Sequence, residues 1–142
     1  MAAILRTANG TWHGDLKSGK GSIDAPSSGV LKDTPFTFAT RFENAKGTNP
    51  EELIAAAHAA CYSMAFSHHL STKGHVPDTI QTKATISLED GKINKMHLET
   101  RGRVAGLDNA AFKQLAEEAE KNCPVSNLLR SGLAITLDAA LL

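Results

Sequence analysis

The stretch from Thr48 to Gly74, TNPEELIAAAHAACYSMAFSHHLSTKG, constrains this chain more than any other. It predicts one long helix. Asn49 is placed to cap it, because its side-chain oxygen can accept an orphan backbone N–H. Pro50 then stands at the first helical position, where its missing N–H costs nothing. Glu51 and Glu52 follow at the positive end of the helix dipole. Gly74 suits the residue just past the helix end. Leu53, Ala57, Cys61, Met64 and His68 recur at helical spacing. Ala55, Ala56, Ala59, Ala60, Ala65 and Phe66 leave no charged face between Glu52 and His68. A helix apolar all round is either a core helix or a membrane span. This apolar run of roughly 15 residues is short of the roughly 20 that a bilayer requires. The stretch is therefore expected to be an almost wholly buried core helix. Its alanines let other backbones approach closely, and Cys61 sits in its middle.

The 142 residues suffice for one domain with a substantial core, and a single domain over 1–142 is expected. The 15 basic and 15 acidic residues cancel, with no block of like charge. Nothing in that pattern suggests a nucleic-acid partner or binding to an acidic membrane surface. The N-terminal residues lack the long apolar segment of a signal peptide, which predicts a cytoplasmic protein.

Around the helix the periodicity changes to two. Residues 8–24 read as two short strands joined by a Gly/Lys/Ser turn. FTFATRFE reads as a strand with strict alternation: Phe36, Phe38, Thr40 and Phe42 on one face, Thr37, Ala39, Arg41 and Glu43 on the other. TIQTKATISL alternates again, with Ile80, Ala84, Ile86 and Leu88 inward. EDGK marks a hairpin turn. The next strand places Met96, Leu98 and Val104 on one face. Lys95, His97, Glu99, Arg101 and Arg103 lie on the other, as a solvated sheet face rather than a phosphate site. Asp108 caps an amphipathic helix with Phe112, Leu115, Ala116 and Ala119 inward. Cys123 precedes a proline, so it is expected to end that helix and cap a short one. Leu133, Ile135, Leu137 and Ala139 form a last alternating strand. The order strands, helix, strands, helices, strand predicts an α+β fold of antiparallel strands packed on helices. A roughly 25-residue apolar helix is more buried rod than one small sheet covers. A dimer in which two such helices pack together covers both.

Two thiols could carry chemistry, Cys61 and Cys123. In a reducing compartment a stable structural disulfide is disfavoured, so they are either two buried thiols or a redox couple. Free cysteine is often simply a small core residue. Cys123, however, stands at a helix start, where the dipole lowers a thiol pKa. Thiol chemistry also needs a nearby cation, since a free thiol is only a few per cent ionised at neutral pH. Arg41 is the best-placed cation, provided that its side of the strand is covered; otherwise it is a surface arginine. The histidines raise a metal reading, because His58 and Cys61 have the spacing of a close ligand pair. His68 lies two turns further on, and His68-His69 reads more simply as a helix-end pair interacting with the dipole.

GTNPEELIAAAHAAC with a downstream NCPVS resembles the OsmC/Ohr family of osmotically inducible and organic hydroperoxide resistance proteins. The likeness runs from TWHGDLKSGKG through GVL and FTFATRFE to the final strand, with TRFE ahead of the helix as in the OsmC branch. The resemblance implies an OsmC-like intertwined homodimer, with antiparallel sheets around long central helices and sites at the subunit interface. It implies a thiol peroxidase in which Cys61 is the peroxidatic thiolate and Cys123 the resolving thiol. Arg41 matches the family's site arginine and Glu51 its site glutamate. The implied partners are a peroxide substrate and an external dithiol reductant, with no metal, haem or flavin. The rival readings are a non-enzymatic redox-sensing or small-molecule-binding dimer using the same pocket, and a metal-binding dimer.

Overall fold

The computed structural model describes residues 1–142. They form two units, Met1–Pro50 and Glu51–Leu142.

The first unit holds a three-stranded antiparallel sheet of β1 (Asn9–His13), β2 (Lys20–Asp24) and β3 (Thr34–Phe36), in that order. Trp12 and Phe36 pack with ring centroids 5.4 Å apart. Their rings lie against Gly21, where a Cβ would collide with both, so only glycine fits that close approach.

The alternation in FTFATRFE does not become a strand. Extension stops at Phe36, and α1 (Phe38–Phe42) follows. The cause is local. The Thr37 hydroxyl accepts the Thr40 N–H at 3.2 Å, and the Thr40 hydroxyl accepts the Thr37 N–H at 3.0 Å. Two threonines three apart thus satisfy two orphan donors reciprocally, which nucleates a helix turn. Phe38 and Phe42 then share one side, with centroids 5.0 Å apart. Arg41 lies among these aromatics rather than opposite them, its guanidinium carbon 5.1 Å from the Phe42 centroid.

The second unit is built on α2 (Pro50–Thr72). The helix ends as the sequence leads one to expect: Gly74 has φ +87°, and the His75 N–H donates to the Leu70 carbonyl at 3.0 Å. Its burial differs from expectation. The buried face is His58, Tyr62, Phe66 and Leu70, a step of four, with Glu51 at the start. Ala57, Met64 and His68, all on the expected stripe, are exposed in the protomer, as are Ala56 and Ala60. With no polar face to set the phase, volume sets it. Tyr62, Phe66 and Leu70 fill the core, while Ala56, Ala57 and Ala60 are left outside together with Met64.

Strands β4 (Thr79–Glu89) and β5 (Lys92–Arg103) pair antiparallel. Asp90 and Gly91 turn between them with φ +50° and +74°, as a two-residue hairpin demands. Asp108 caps α3 (Asn109–Asn122) by accepting the Ala111 N–H at 2.8 Å. Then come α4 (Pro124–Leu129) and β6 (Ala134–Leu141). β6 pairs parallel with β5, so the second sheet is mixed rather than wholly antiparallel. The intervening α3 and α4 supply the crossover that a parallel pair requires. Tyr62, Phe66 and Leu70 pack with Met96, Leu98, Phe112 and Ala116 as the core of this unit. No helix is long and apolar enough to cross a membrane.

Candidate active site

Cys61 lies midway along α2, half-buried, and Cys123 is fully buried at the corner between α3 and α4. The corner is fixed by Pro124, which forces extended backbone on the preceding residue. Cys123 has φ −72° and ψ 121°, ending α3 and opening α4 in one residue. Although 62 positions apart in sequence, the two sulfurs are 3.6 Å apart, with the Cys123 thiol donating toward Cys61. Both are free thiols. The separation exceeds the roughly 2.05 Å of an S–S bond, so a short approach closes it.

Burial pushes the Cys61 thiol up from its ordinary value, and the neighbouring Cys123 thiol adds to the rise. The backbone N–H of Val125 opposes both by donating to the Cys61 sulfur. Cys123 caps α4 through its backbone alone, and its side chain makes no cap hydrogen bond. The Val125 amide, in the first turn of α4, acts on Cys61. Nothing in the spacing of the two cysteines signals this, because it depends on how α4 docks on α2.

Arg41 lies in the first unit, on α1. It lines a cavity of about 430 Å³ with Trp12, Leu16, Phe36, Phe38 and Phe42. Glu51 lies in the first turn of α2 and is buried, with 7% of its surface exposed. Ten positions separate it from Cys61 on one unbroken helix. That is about 15 Å along the axis and about 80° around it. A glutamate cannot span that distance, so Glu51 does not reach Cys61 of its own protomer.

His58, His68 and His69 do not converge with the cysteines on a metal position. His58 is buried, with Nε2 2.7 Å from the Ser126 hydroxyl. Burial lowers its pKa, and Arg130 lowers it further against the opposing charge of Glu120. The ring is therefore neutral at neutral pH. His69 pairs with Glu118 of α3 at 2.8 Å, and His68 is exposed. No group of three or more His, Cys, Asp or Glu side chains is arranged to hold a metal ion. The His58–Ser126 pair is not legible in the sequence, where the two residues are 68 positions apart.

A family model described as OsmC-like protein matches residues 43–138. The chain is 46% identical over 139 residues to peroxiredoxin OsmC of Escherichia coli strain K12, covering 95% of each chain. It is 34% identical over 99 residues to the organic hydroperoxide resistance protein of Xanthomonas axonopodis pv. citri, covering 66% of this chain and 68% of that one. The crystal structure of OhrB, an organic hydroperoxide resistance protein of Bacillus subtilis, matches with a TM-score of 0.67 at 28% identity. It covers 94% of this chain and 97% of that one. An OsmC-like protein from Mycoplasma pneumoniae has the same fold, with a TM-score of 0.74 at 15% identity over 99% of both chains. By the length and identity of these matches, the chain belongs to the OsmC-like family.

Proposed function

We propose that this protein is a cysteine-based peroxidase of oxidative and osmotic stress defence. It reduces organic hydroperoxides, and hydrogen peroxide less efficiently, as a homodimer of single OsmC-like domains. The observation that carries the reading is the 3.6 Å approach of Cys61 and Cys123. The names of the relatives support the reaction class.

The Cys61 thiolate attacks one peroxide oxygen in line with the O–O bond. An S–O bond forms, the O–O bond breaks, and the alkoxide leaves to take up a proton as the alcohol. Cys61 is then a sulfenic acid, which condenses with the Cys123 thiol to a disulfide and water. An external dithiol restores both thiols by exchange. Burial works against the Cys61 thiolate, so the thiolate needs a cation beside it. That cation is Arg41 of the partner subunit, held by Glu51 of the partner subunit through bidentate hydrogen bonds. The guanidinium also stabilises the charge that spreads over the two peroxide oxygens. The length of α2 between Glu51 and Cys61 favours this sharing between chains. So does the unpartnered alanine face of α2, on which a second α2 packs closely about a two-fold axis.

The aromatic cavity beside Arg41 supports an apolar substrate. Each CH₂ buried there contributes roughly 0.8 kcal/mol, which a small hydrated peroxide does not gain. Steady-state kinetics with a dithiol reductant tests the whole reading. Cumene hydroperoxide is expected to turn over with higher kcat/KM than hydrogen peroxide. Cys61→Ser is expected to abolish reduction, while Cys123→Ser completes one turnover and then over-oxidises. Full activity in Cys61→Ser overturns the mechanism, and the reverse order of peroxides overturns the apolar pocket.

A further inference from the structure

The corner that carries Cys123 meets α2 at two rungs. Cys61 faces Cys123 at 3.6 Å, and His58 faces Ser126 at 2.7 Å. On α2 the step between rungs is three residues forward; on the corner it is three residues back. Residues three apart on a helix lie on one side, so both rungs face the same way. Both members of the second rung are fully buried, with no exposed surface. The imidazole's other nitrogen, Nδ1, has no hydrogen-bond partner, so Ser126 alone holds the ring through a hydrogen bond. The peroxide chemistry above uses neither residue.

We propose that His58 and Ser126 are a positioning pair: their hydrogen bond holds the Cys123 corner against α2 and so sets the rate at which Cys123 resolves oxidised Cys61. The inference rests on the peroxidase reading, because it concerns that reaction's second step. In that step the Cys123 sulfur bonds to the Cys61 sulfur from the side opposite the S–O bond. The S–O and S–H bonds break, and hydroxyl and proton leave as water. Cys123 is oxidised and the Cys61 sulfur is reduced from the sulfenic state. The reaction is intramolecular, so its rate depends on alignment, and a misplacement of about 1 Å can cost about 100-fold. Attack on the peroxide by Cys61 depends on the corner only through the Val125 amide, which offsets part of the effect of burial on the thiol. The pair therefore acts mainly on the second step: loosening it slows resolution far more than it slows the first step. A sulfenic acid that waits longer is open to a second peroxide and to sulfinic acid.

The test uses the full-length protein, reduced and mixed with one equivalent of cumene hydroperoxide. Peroxide consumption gives the first step. Dimedone trapping with mass spectrometry gives the sulfenic acid, and unreduced peptide mapping gives the disulfide. Ser126→Ala and His58→Leu both remove the bond, the second with little change in volume, and both are checked for native circular dichroism. First-step rates within about twofold of wild type are expected, with disulfide formation slower by about tenfold or more. Sulfinic acid is expected to accumulate under excess peroxide. His58→Gln, whose amide reaches the position of Nε2, is expected to recover most of the resolution rate. Disulfide formation at the wild-type rate in folded Ser126→Ala or His58→Leu overturns the inference, as does an equal loss in both steps. Wild-type protein that gives no Cys61–Cys123 disulfide overturns the peroxidase reading itself, and the inference with it.

Discussion

Helix α2 has two apolar faces that differ in size. The inner face, His58, Tyr62, Phe66 and Leu70, is fully buried against its own unit. Phe66 meets Phe112 edge-on at 4.9 Å, and the Tyr62 hydroxyl donates to the Ala116 carbonyl at 2.9 Å. The outer face carries Ala56, Ala57, Ala60 and Met64, and Met64 is 74% exposed. Bulk on one side fills a core within the chain. Small residues on the other side let a second helix approach closely, as aligned alanines do wherever backbones pack together. A helix apolar all round need not be buried by its own chain. One face builds the fold, and under the reading above the other completes the chemistry.

The largest effect that separates the faces comes from paired substitutions. Phe66→Ala is expected to destabilise folding by about 3–5 kcal/mol, the usual cost of emptying a large core position, without changing subunit affinity in the folded protein. Ala60→Glu puts a charge on the outer face. It is expected to change protomer folding by no more than about 0.5 kcal/mol, as at other exposed sites, while breaking the dimer and its peroxidase activity. Chemical denaturation and analytical ultracentrifugation read the two effects. A dimer undisturbed by Ala60→Glu means that the outer face is not an interface.

A smaller effect comes from pH and belongs to the inner face alone. Burial holds His58 below the ordinary histidine pKa, which is about 6.5 in the unfolded chain. As pH falls through that value, the unfolded chain binds a proton that the folded one refuses, so stability declines. Above it both states are neutral and the contribution is constant. His58→Leu is expected to flatten this part of the stability profile between about pH 7 and 5. Urea midpoints across that range check it. An unchanged slope means that other groups carry the acid sensitivity.

Much of this was legible in the sequence, for reasons that differ by element. Pro50, Gly74, Asp108 and Pro124 each act through local backbone rules, so α2, α3 and α4 fall where those residues place them. The EDGK turn and the strands beside it follow from period-two patterning in the same way. FTFATRFE misleads because its alternation is real, yet Thr37 and Thr40 form a hydrogen-bonded cap that alternation does not reveal. The inner face of α2 was hidden because no charge marks the outer one. The parallel pairing of β6 depends on the path of the crossover, a tertiary property. Cys61 and Cys123 stood out as residue types and through family resemblance, whereas the amide of Val125 and the hydroxyl of Ser126 became visible only with α4 docked on α2.

Whether the outer face of α2 completes the active site is tested most directly by mixing two inactive variants. Cys61→Ser lacks the attacking thiol, and Arg41→Ala lacks the proposed cation. Each is expected to form a dimer without peroxidase activity. Allowed to exchange subunits, they form heterodimers with one site that joins an intact Cys61 to Arg41 and Glu51 of the partner subunit. Activity is expected to return, reaching up to about a quarter of the wild-type rate per active-site equivalent when exchange is random and half of all dimers are mixed. Proven exchange without any recovery contradicts it, and places Arg41 and Cys61 of one chain in the same site.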